Sequence, residues 1–262
     1  MLLIAHISDL HLDGGQLRLQ RARRVMTYLN RLPGPLHAVL VAGDLTENGL
    51  AEEYQQAAEV LASPLPVFVC PGNHDRRGPF REILLGEEAV ENPDDHPIDR
   101  AHRVEGAVFA MCDSVIPGHD GGYLADGTLE WLEGLLRETP PRTPVFVGVH
   151  HPPVELHNPV VDVDRQRAAH RLARVIEQYP NVAAVLCGHA HTAVATIFAG
   201  RPLAVAPGIV SGVALPWERD EEADLERPLG VAFHVLDDGH LVTHYRTVPA
   251  TPSATTSPPT SA

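Results

Sequence analysis

The sequence predicts an α/β domain built from two β-sheets, each covered by helices. Short apolar runs of the strand type alternate with helical patterns from the first residues onward, and this alternation is typical of largely parallel sheets with helices packed on them. A length of 262 residues fits one large domain, and an apolar content of 44% is enough for a sizeable core. We therefore expect one folded domain over residues 1–248.

The N-terminal part contains three strands separated by two helices. In chain order, we expect these elements at Leu2–Ser8, Gln16–Leu32, Ala38–Ala42, Ala51–Ala62 and Val67–Cys70. The next stretch, residues 76–100, is acidic, contains proline and lacks a clear period, so it is predicted to be a surface insertion or lid.

The second half continues the alternation and then becomes rich in strands. We expect a strand pair within His102–Asp113, and then elements at Thr128–Arg137 (helix), Val145–Val149 (strand), Arg165–Gln178 (helix) and Val182–Cys187 (strand). Residues 193–248 are predicted to form short hairpins. Residues 249–262 are rich in Pro, Ser and Thr and predict a disordered tail.

Composition excludes several classes of protein. The formal net charge is −14, from 20 basic and 34 acidic residues, which argues against binding of a nucleic-acid polymer through its phosphates. Five arginines of the first helix are expected on its solvated face, namely Arg18, Arg21, Arg23, Arg24 and Arg31. Three widely spaced cysteines, no signal peptide and no apolar run of ~20 residues predict a cytoplasmic protein without a membrane span.

Five of the apolar runs end in side chains that bind metals. The endings contain Asp9 and His11, Asp44, Asn73 and His74, His150 and His151, and His189 and His191. Ligands of open α/β sheets bind beyond the carboxyl ends of the strands, so these side chains should converge. Residues at i and i+2 of an extended segment point to the same side, and a preceding glycine (Gly43, Gly72 or Gly188) permits a sharp turn.

The donor types indicate the kind of site. A mixed set of nitrogen and oxygen donors suits Mn, Fe, Co or Zn better than Mg or Ca. One ion needs three or four ligands, so seven candidates suggest two ions that share a bridging carboxylate and clamp a phosphoryl group. Each motif alone is weak, but five in order at strand ends are specific.

The motif series resembles the calcineurin-like metallophosphoesterase superfamily over residues 2–211. The context Gly43-Asp44-Leu45-Thr46 and His150-His151-Pro152-Pro153 is similar to its class III cyclic nucleotide phosphodiesterase branch. The resemblance implies an α+β, four-layer αββα sandwich of two mixed sheets flanked by helices.

The resemblance also implies roles for individual residues. One metal would be held by Asp9, His11, Asp44 and His191, and the other by Asp44, Asn73, His150 and His189, with Asp44 bridging. The metals would be two transition-metal ions (Mn, Fe or Zn). Asn73 would help to neutralise the phosphoryl oxygens, His74 would protonate the leaving group or contact the phosphate, and Asp75 would orient His74.

The implied activity is hydrolysis of a small phosphodiester, such as a 3′,5′- or 2′,3′-cyclic nucleotide, by a metal-activated hydroxide. A glycerophosphodiesterase or a phosphomonoesterase is the alternative, and a non-catalytic scaffold with the same fold is a remote one. Protein phosphatases of the superfamily carry Asp-Arg-Gly after the Gly-Asp motif, and residues 45–49 (Leu-Thr-Glu-Asn-Gly) count against them. Homodimers or larger assemblies are often found in this branch, but the sequence does not determine the oligomeric state of this chain.

Four residues close to the motifs in sequence have two interpretations each. We expect His6 in the core or behind the ligands, and His151 behind the ligands or in contact with substrate. Arg76 and Arg77 are expected either near a substrate phosphate or on a solvated surface.

Overall fold

Alternating strands and helices build two large sheets in the computed structural model, which describes residues 1–218, 223–224 and 226–249. In chain order, strands β1 to β13 span Leu2–Ile7, Ala38–Ala42, Val67–Cys70, Arg100–Val104, Ala107–Cys112, Val145–Val149, Val182–Cys187, Val194–Phe198, Arg201–Val205, Gly212–Val213, Ala223–Asp224, Gly230–Asp237 and His240–Thr247. Helices α1 to α6 span Gln16–Asn30, Ala51–Leu61, Arg77–Pro79, Asp126–Glu138, Pro159–Asp162 and His170–Gln178. Two further helical segments are a π-helix at Phe80–Leu85 and a 3-10 turn at Pro93–Asp95.

Both large sheets are mixed. The first has the order β13-β12-β1-β2-β3, with β1, β2 and β3 parallel and the hairpin β12–β13 antiparallel to them. The second has the order β4-β5-β6-β7-β9-β8, in which β5, β6, β7 and β9 are parallel and the two edge strands are antiparallel. A small pair, β10–β11, lies outside them.

Three apolar layers show how the sheets stack. Helices α1 and α2 cover the first sheet through residues such as Val25, Leu29 and Tyr54, and α4 and α6 cover the second through residues such as Leu132. Between the sheets, β2 and β3 contribute Leu40 and Phe68, and the facing side chains Phe109, Met111, Phe146 and Leu186 come from the second sheet. The result is the predicted four-layer αββα sandwich.

Most element boundaries agree with the sequence to within two residues. The main exception is the last helix, since α6 begins at His170 rather than Arg165, and the short helix α5 was not predicted. The sequence pattern places Leu17 on the apolar side of α1, but Leu17 is 62% exposed and Leu19 is buried in the core. The three cysteines are free and buried, and no helix in the described ranges is long and apolar enough to cross a membrane.

The insertion at residues 76–100 is tied to the second sheet by a buried arginine. Arg77 donates from Nε to Asp113 Oδ2 at 2.7 Å and from Nη2 to the carbonyl of Val115 at 2.9 Å. Both charged side chains of this pair are buried. Arg77 is therefore neither on a solvated surface nor directed at a substrate, and both expectations for it were wrong. Arg76 is exposed.

The predicted disordered tail lies, from residue 250 onward, outside the described residues.

Candidate metal centre

Five strand ends from the two sheets meet at one edge of the sandwich. Asp9, Asp44 and Asn73 follow β1, β2 and β3, whereas His150 and His189 follow β6 and β7. Backbone groups connect these loops directly: His189 N donates to Asp9 Oδ1 at 3.1 Å, and Asp9 N donates to the carbonyl of Gly43 at 3.1 Å. The predicted convergence of the strand ends is therefore present.

Asp44 lies in the middle of the cluster. Its Oδ2 is 3.4 Å from His11 Nε2 and 3.3 Å from His150 Nε2, and its Oδ1 accepts the backbone N–H of His74 at 2.9 Å. The carboxylate is 2% exposed. One carboxylate oxygen thus faces ligand candidates from two different loops, which is the arrangement a bridging ligand requires.

The other candidates fall into two groups on either side of Asp44. On one side, His191 Nε2 lies 3.1 Å from His11 Nε2 and 3.6 Å from Asp9 Oδ1. On the other side, Asn73 Oδ1 lies 3.1 Å from His150 Nε2 and 3.2 Å from His189 Nδ1.

Several atoms that face each other in the cluster carry lone pairs. His150 Nδ1 lies 2.6 Å from the carbonyl of Ala42, which can only accept, so Nδ1 carries a proton and Nε2 presents a lone pair whenever it is not protonated itself. His11 likewise donates Nδ1–H to Glu47 Oε2 at 2.8 Å. Asp9 Oδ2 is buried and has no hydrogen-bond partner within the described ranges. Lone pairs directed at one another are stabilised by cations, so the donor set fits bound metals.

The charges of the cluster are tightly linked. Burial alone would raise the pKa of Asp44, but the imidazoles of His150 and His11 hold it well below its usual range. Burial opposes protonation of His150 as well, yet the carboxylate of Asp44 raises the pKa of that ring to about 9. Burial and the neighbouring His150 lower the pKa of His189 to about 3. Positive charge is thus favoured beside Asp44, where metal ions would compete with protons for the same ring nitrogens.

The loops that carry the candidates have an unusual backbone conformation. Five of the seven candidate ligands are non-glycine residues with positive φ angles, namely Asp9 (57°), His11 (45°), Asp44 (51°), His189 (69°) and His191 (50°). Asp and His tolerate this region better than most residues, but each instance still costs on the order of 1–3 kcal/mol. Nothing in the residue pattern predicted this strain, which is typical of functional sites.

The glycines before the ligands permit close contacts. Gly43 has a φ of 89°, whereas Gly72 and Gly188 are needed for space: a Cβ at 72 would lie 2.2 Å from Asp44 Oδ1, and one at 188 would lie 2.5 Å from the carbonyl of Ala42. The predicted sharp turn therefore applies to Gly43, whereas Gly72 and Gly188 are needed because protein atoms approach their Cα closely, a reason that the sequence did not indicate.

His74 lies beside the cluster with one ring nitrogen unused. Its Nδ1 donates to the carbonyl of Glu47 at 2.8 Å, and its ring meets that of His11 edge to face with centroids 4.6 Å apart. In the described part of the chain, Nε2 has no hydrogen-bond partner. The ring can therefore present Nε2 to a bound substrate.

Asp75 does not orient His74, contrary to expectation. Asp75 is buried and holds the Gly-Asp loop against the loop that carries His74. Burial and the nearby Asp44 raise the pKa of the Asp75 carboxyl to about 6. Its carboxylate accepts hydrogen bonds from the backbone N–H of Leu45 (3.2 Å), Thr46 (3.3 Å) and Gly72 (2.9 Å) and from the hydroxyls of Thr46 (3.1 Å) and Tyr54 (3.1 Å).

Two further histidines lie behind the cluster. His151 donates Nε2–H to the carbonyl of Asp120 at 2.9 Å and accepts the hydroxyl of Ser114 at Nδ1 at 2.7 Å. Both ring nitrogens are occupied, so it positions the loop around Asp120 rather than contacting substrate. His6 is a core residue, buried and 3.1 Å from His234.

Sequence reasoning missed two contributors to the site. Glu47 contacts both His11 and His74, and Arg18 donates to Glu47 Oε2 at 2.7 Å and to the carbonyl of His11 at 2.8 Å. Arg18 is therefore not on a solvated face; nor is Arg21, which donates to the carbonyl of Ile209 at 2.8 Å. The signal for Glu47 was its place three residues after Asp44, inside the Gly-Asp motif.

Comparisons with known proteins identify a family and several relatives of this chain. The family model described as calcineurin-like phosphoesterase matches residues 2–193. The chain is 33% identical to the glycerophosphodiester phosphodiesterase GpdQ of Enterobacter lignolyticus, covering 81% of this chain and 79% of that protein. It is 34% identical to a probable cyclic nucleotide phosphodiesterase of Rhodococcus erythropolis, covering 78% and 69%. A dimetal phosphatase from Danio rerio shares the fold, with a TM-score of 0.69, 13% identity and coverage of 95% and 96%.

Proposed function

The chain belongs to the calcineurin-like phosphoesterase family, and from that premise we propose that it hydrolyses small phosphodiesters with the help of two transition-metal ions. The observation that carries this proposal is the carboxylate of Asp44, which faces His11 on one side and His150 on the other at 3.3–3.4 Å. A carboxylate between two sets of ligands could hold two ions close together, and two such ions would clamp and polarise a phosphoryl group.

The ligand sets follow the two groups around Asp44. One ion would be held by Asp9, His11, Asp44 and His191, and the other by Asp44, Asn73, His150 and His189. The mixture of imidazole, carboxylate and amide donors suits Mn, Fe or Zn. In support of the first set, the ligand atoms of Asp9, His11 and His191 lie within 4.8 Å of one another; those of Asp9, Asp44 and His150 also do, so the two sets adjoin at Asp44.

The chain's own residues would bind and polarise the substrate. Two bound ions would supply charge neutralisation on the phosphoryl oxygens and activation of water. Asn73 turns its Oδ1 toward His150 and His189, so its amide N–H is left for a phosphoryl oxygen. His74 gives Nδ1–H to the carbonyl of Glu47, so an imidazolium at this position can pass the Nε2 proton to the leaving oxygen.

We propose a cyclic nucleotide or a glycerophosphodiester as the substrate. The two relatives carry those two activities in their names at nearly equal identity. A nucleic-acid polymer is disfavoured because the net charge of −14 would repel its phosphates. Cytoplasmic location and homo-oligomeric assembly stay predictions from the sequence.

A substrate panel tests the proposal. Protein reconstituted with Mn²⁺ would be assayed with bis-nitrophenyl phosphate, nitrophenyl phosphate, 3′,5′- and 2′,3′-cyclic AMP and glycerophosphodiesters, with products identified. We expect diester cleavage, and the ratio of kcat/KM between cyclic nucleotides and glycerophosphodiesters would choose between the two substrate classes. Cleavage of monoesters alone would make the protein a phosphomonoesterase. No turnover by the metal-loaded protein would favour a non-catalytic scaffold.

A further inference from the structure

Glu47 contacts two histidines of the site through two different parts of the residue. Its carboxylate oxygen Oε2 accepts Nδ1–H of His11 at 2.8 Å, and its backbone carbonyl accepts Nδ1–H of His74 at 2.8 Å. Its backbone N–H donates to the carbonyl of Leu12 at 2.9 Å, next to His11. One residue thus holds a candidate metal ligand and the candidate general acid at the same time.

Arg18 keeps the Glu47 carboxylate in place. The guanidinium donates to Glu47 Oε2 at 2.7 Å and to the carbonyl of His11 at 2.8 Å, and it also lies 3.3 Å from Asp13 Oδ2. The side chains of Arg18 and Glu47 are only 25% and 31% exposed, so solvent screens this pair less than a surface pair. The three side chains Arg18, Glu47 and His11 form one chain of hydrogen bonds that leads from the first helix to the cluster.

The contact with Glu47 decides how His11 behaves as a ligand. A carboxylate that accepts Nδ1–H selects the tautomer with a lone pair on Nε2 and makes that nitrogen more basic. His11 Nε2 points into the cluster, 3.4 Å from Asp44 Oδ2 and 3.1 Å from His191 Nε2. The Nδ1 contact with Glu47 supports this direction of the ring.

We propose that the Glu47 side chain is a positioning group that sets the affinity of the ion held by Asp9, His11, Asp44 and His191, while the Glu47 carbonyl separately orients His74. This inference rests on the two-metal function proposed above. Its consequence is that the two roles are separable, because a substitution of the side chain leaves the carbonyl in place. A side-chain variant should therefore impair metal binding at one site and spare proton donation by His74.

The test uses Glu47→Gln and Glu47→Ala with Glu52→Gln as the matched control. Glu52 lies at the start of α2 and is exposed. Chelator-treated full-length protein would be titrated with Mn²⁺ by calorimetry. Loss of such an outer contact typically costs about 10–100-fold in metal affinity, and we expect that loss at one of the two sites. Glu47→Ala should lose more than Glu47→Gln, since the glutamine oxygen can still accept Nδ1–H, and the control should match the wild type.

Turnover at saturating Mn²⁺ provides the second measurement. The ratio of kcat on an alkyl diester to kcat on a nitrophenyl diester should be unchanged in the Glu47 variants, because the His74 contact is made by the backbone. Wild-type affinity at both sites in Glu47→Ala would overturn the proposal. Equal weakening of both sites, together with a lower melting temperature of the metal-free variant, would overturn it in favour of a purely structural role. A wild-type protein that binds no Mn²⁺ would instead overturn the two-metal function itself.

Discussion

Substitution of Gly72 by alanine tests how closely the loops of the metal centre are packed. A Cβ at this position would lie 2.2 Å from Asp44 Oδ1 and 2.5 Å from Asp44 N, whereas ordinary contacts begin near 3.4 Å. The atoms must therefore separate by about 1 Å. Asp44 cannot yield easily, because its Oδ1 accepts the N–H of His74 at 2.9 Å and its backbone already has a positive φ of 51°.

The size of both effects follows from this displacement. Inserting a methyl group into a closely packed site costs about 1–3 kcal/mol, and each kcal/mol lowers the melting temperature of a domain of this size by about 2–4 °C. A displacement of about 1 Å at a catalytic group can cost about 10²-fold in rate. We expect Gly72→Ala to lose both stability and roughly 100-fold in diester turnover at saturating Mn²⁺.

Gly134→Ala is the matched control, because it makes the same chemical change inside helix α4, where the new Cβ has no atom within 4 Å apart from its chain neighbours and the local helix backbone. This variant should gain about 0.5–1 kcal/mol from helix propensity and keep its turnover. Urea denaturation and initial rates on bis-nitrophenyl phosphate measure both quantities. If Gly72→Ala retained wild-type stability and a rate within threefold of wild type, the packing around Asp44 would be looser than the structure indicates, and this reasoning would fail.

Three further outcomes are expected. His74→Ala should slow hydrolysis of an alkyl diester by about 10²–10⁴-fold, the usual contribution of a general acid, but hydrolysis of a nitrophenyl diester far less; equal losses in kcat would remove it from the acid role. Burial lowers the pKa of His234 to about 4. Below pH ~6.5 the histidine binds a proton in the unfolded state but stays neutral in the folded state, so the protein loses stability as the pH falls from ~6.5 toward 4. By urea denaturation at pH 7.5 and 5.5, the wild type should lose about 1.4 kcal/mol more than His234→Gln, and equal losses would contradict this. Arg77→Ala leaves the buried Asp113 carboxylate without its cation and should cost about 3–5 kcal/mol by the same assay. The exposed Arg137→Ala should cost under about 1 kcal/mol, and a cost that small for Arg77→Ala would contradict the expected penalty for an unpaired buried carboxylate.

The strands were predictable because the residue type changes abruptly where each strand ends. The runs Ala38–Ala42, Val67–Cys70, Val145–Val149 and Val182–Cys187 are apolar and each is followed by Gly, Pro or His, and the structure has these strands with the same bounds. The start of α6 was not predictable from the pattern, since the residues before His170 contain arginines and alanines that also suit a helix, but they form turns.

The partners of charged side chains were the hardest feature to predict. Arg77 pairs with Asp113, 36 residues away, and Arg18 pairs with Glu47, 29 residues away, so no local pattern distinguishes these arginines from surface ones. The same limit explains the error on Asp75, whose carboxylate binds the backbone of the neighbouring loop rather than the side chain next to it. The ligand candidates were predictable because strand ends and residue types suffice to place them at one edge.

Metal content and diester turnover, measured together on one preparation, show whether two ions at Asp44 drive the hydrolysis. Chelator-treated protein would be titrated with Mn²⁺ while bound metal per chain and turnover of bis-nitrophenyl phosphate are followed, with Asp44→Asn in parallel. We expect two ions per wild-type chain, no turnover without metal, and loss of both turnover and tight binding of two ions in Asp44→Asn. Full turnover by the metal-free protein, or by Asp44→Asn, would contradict this expectation.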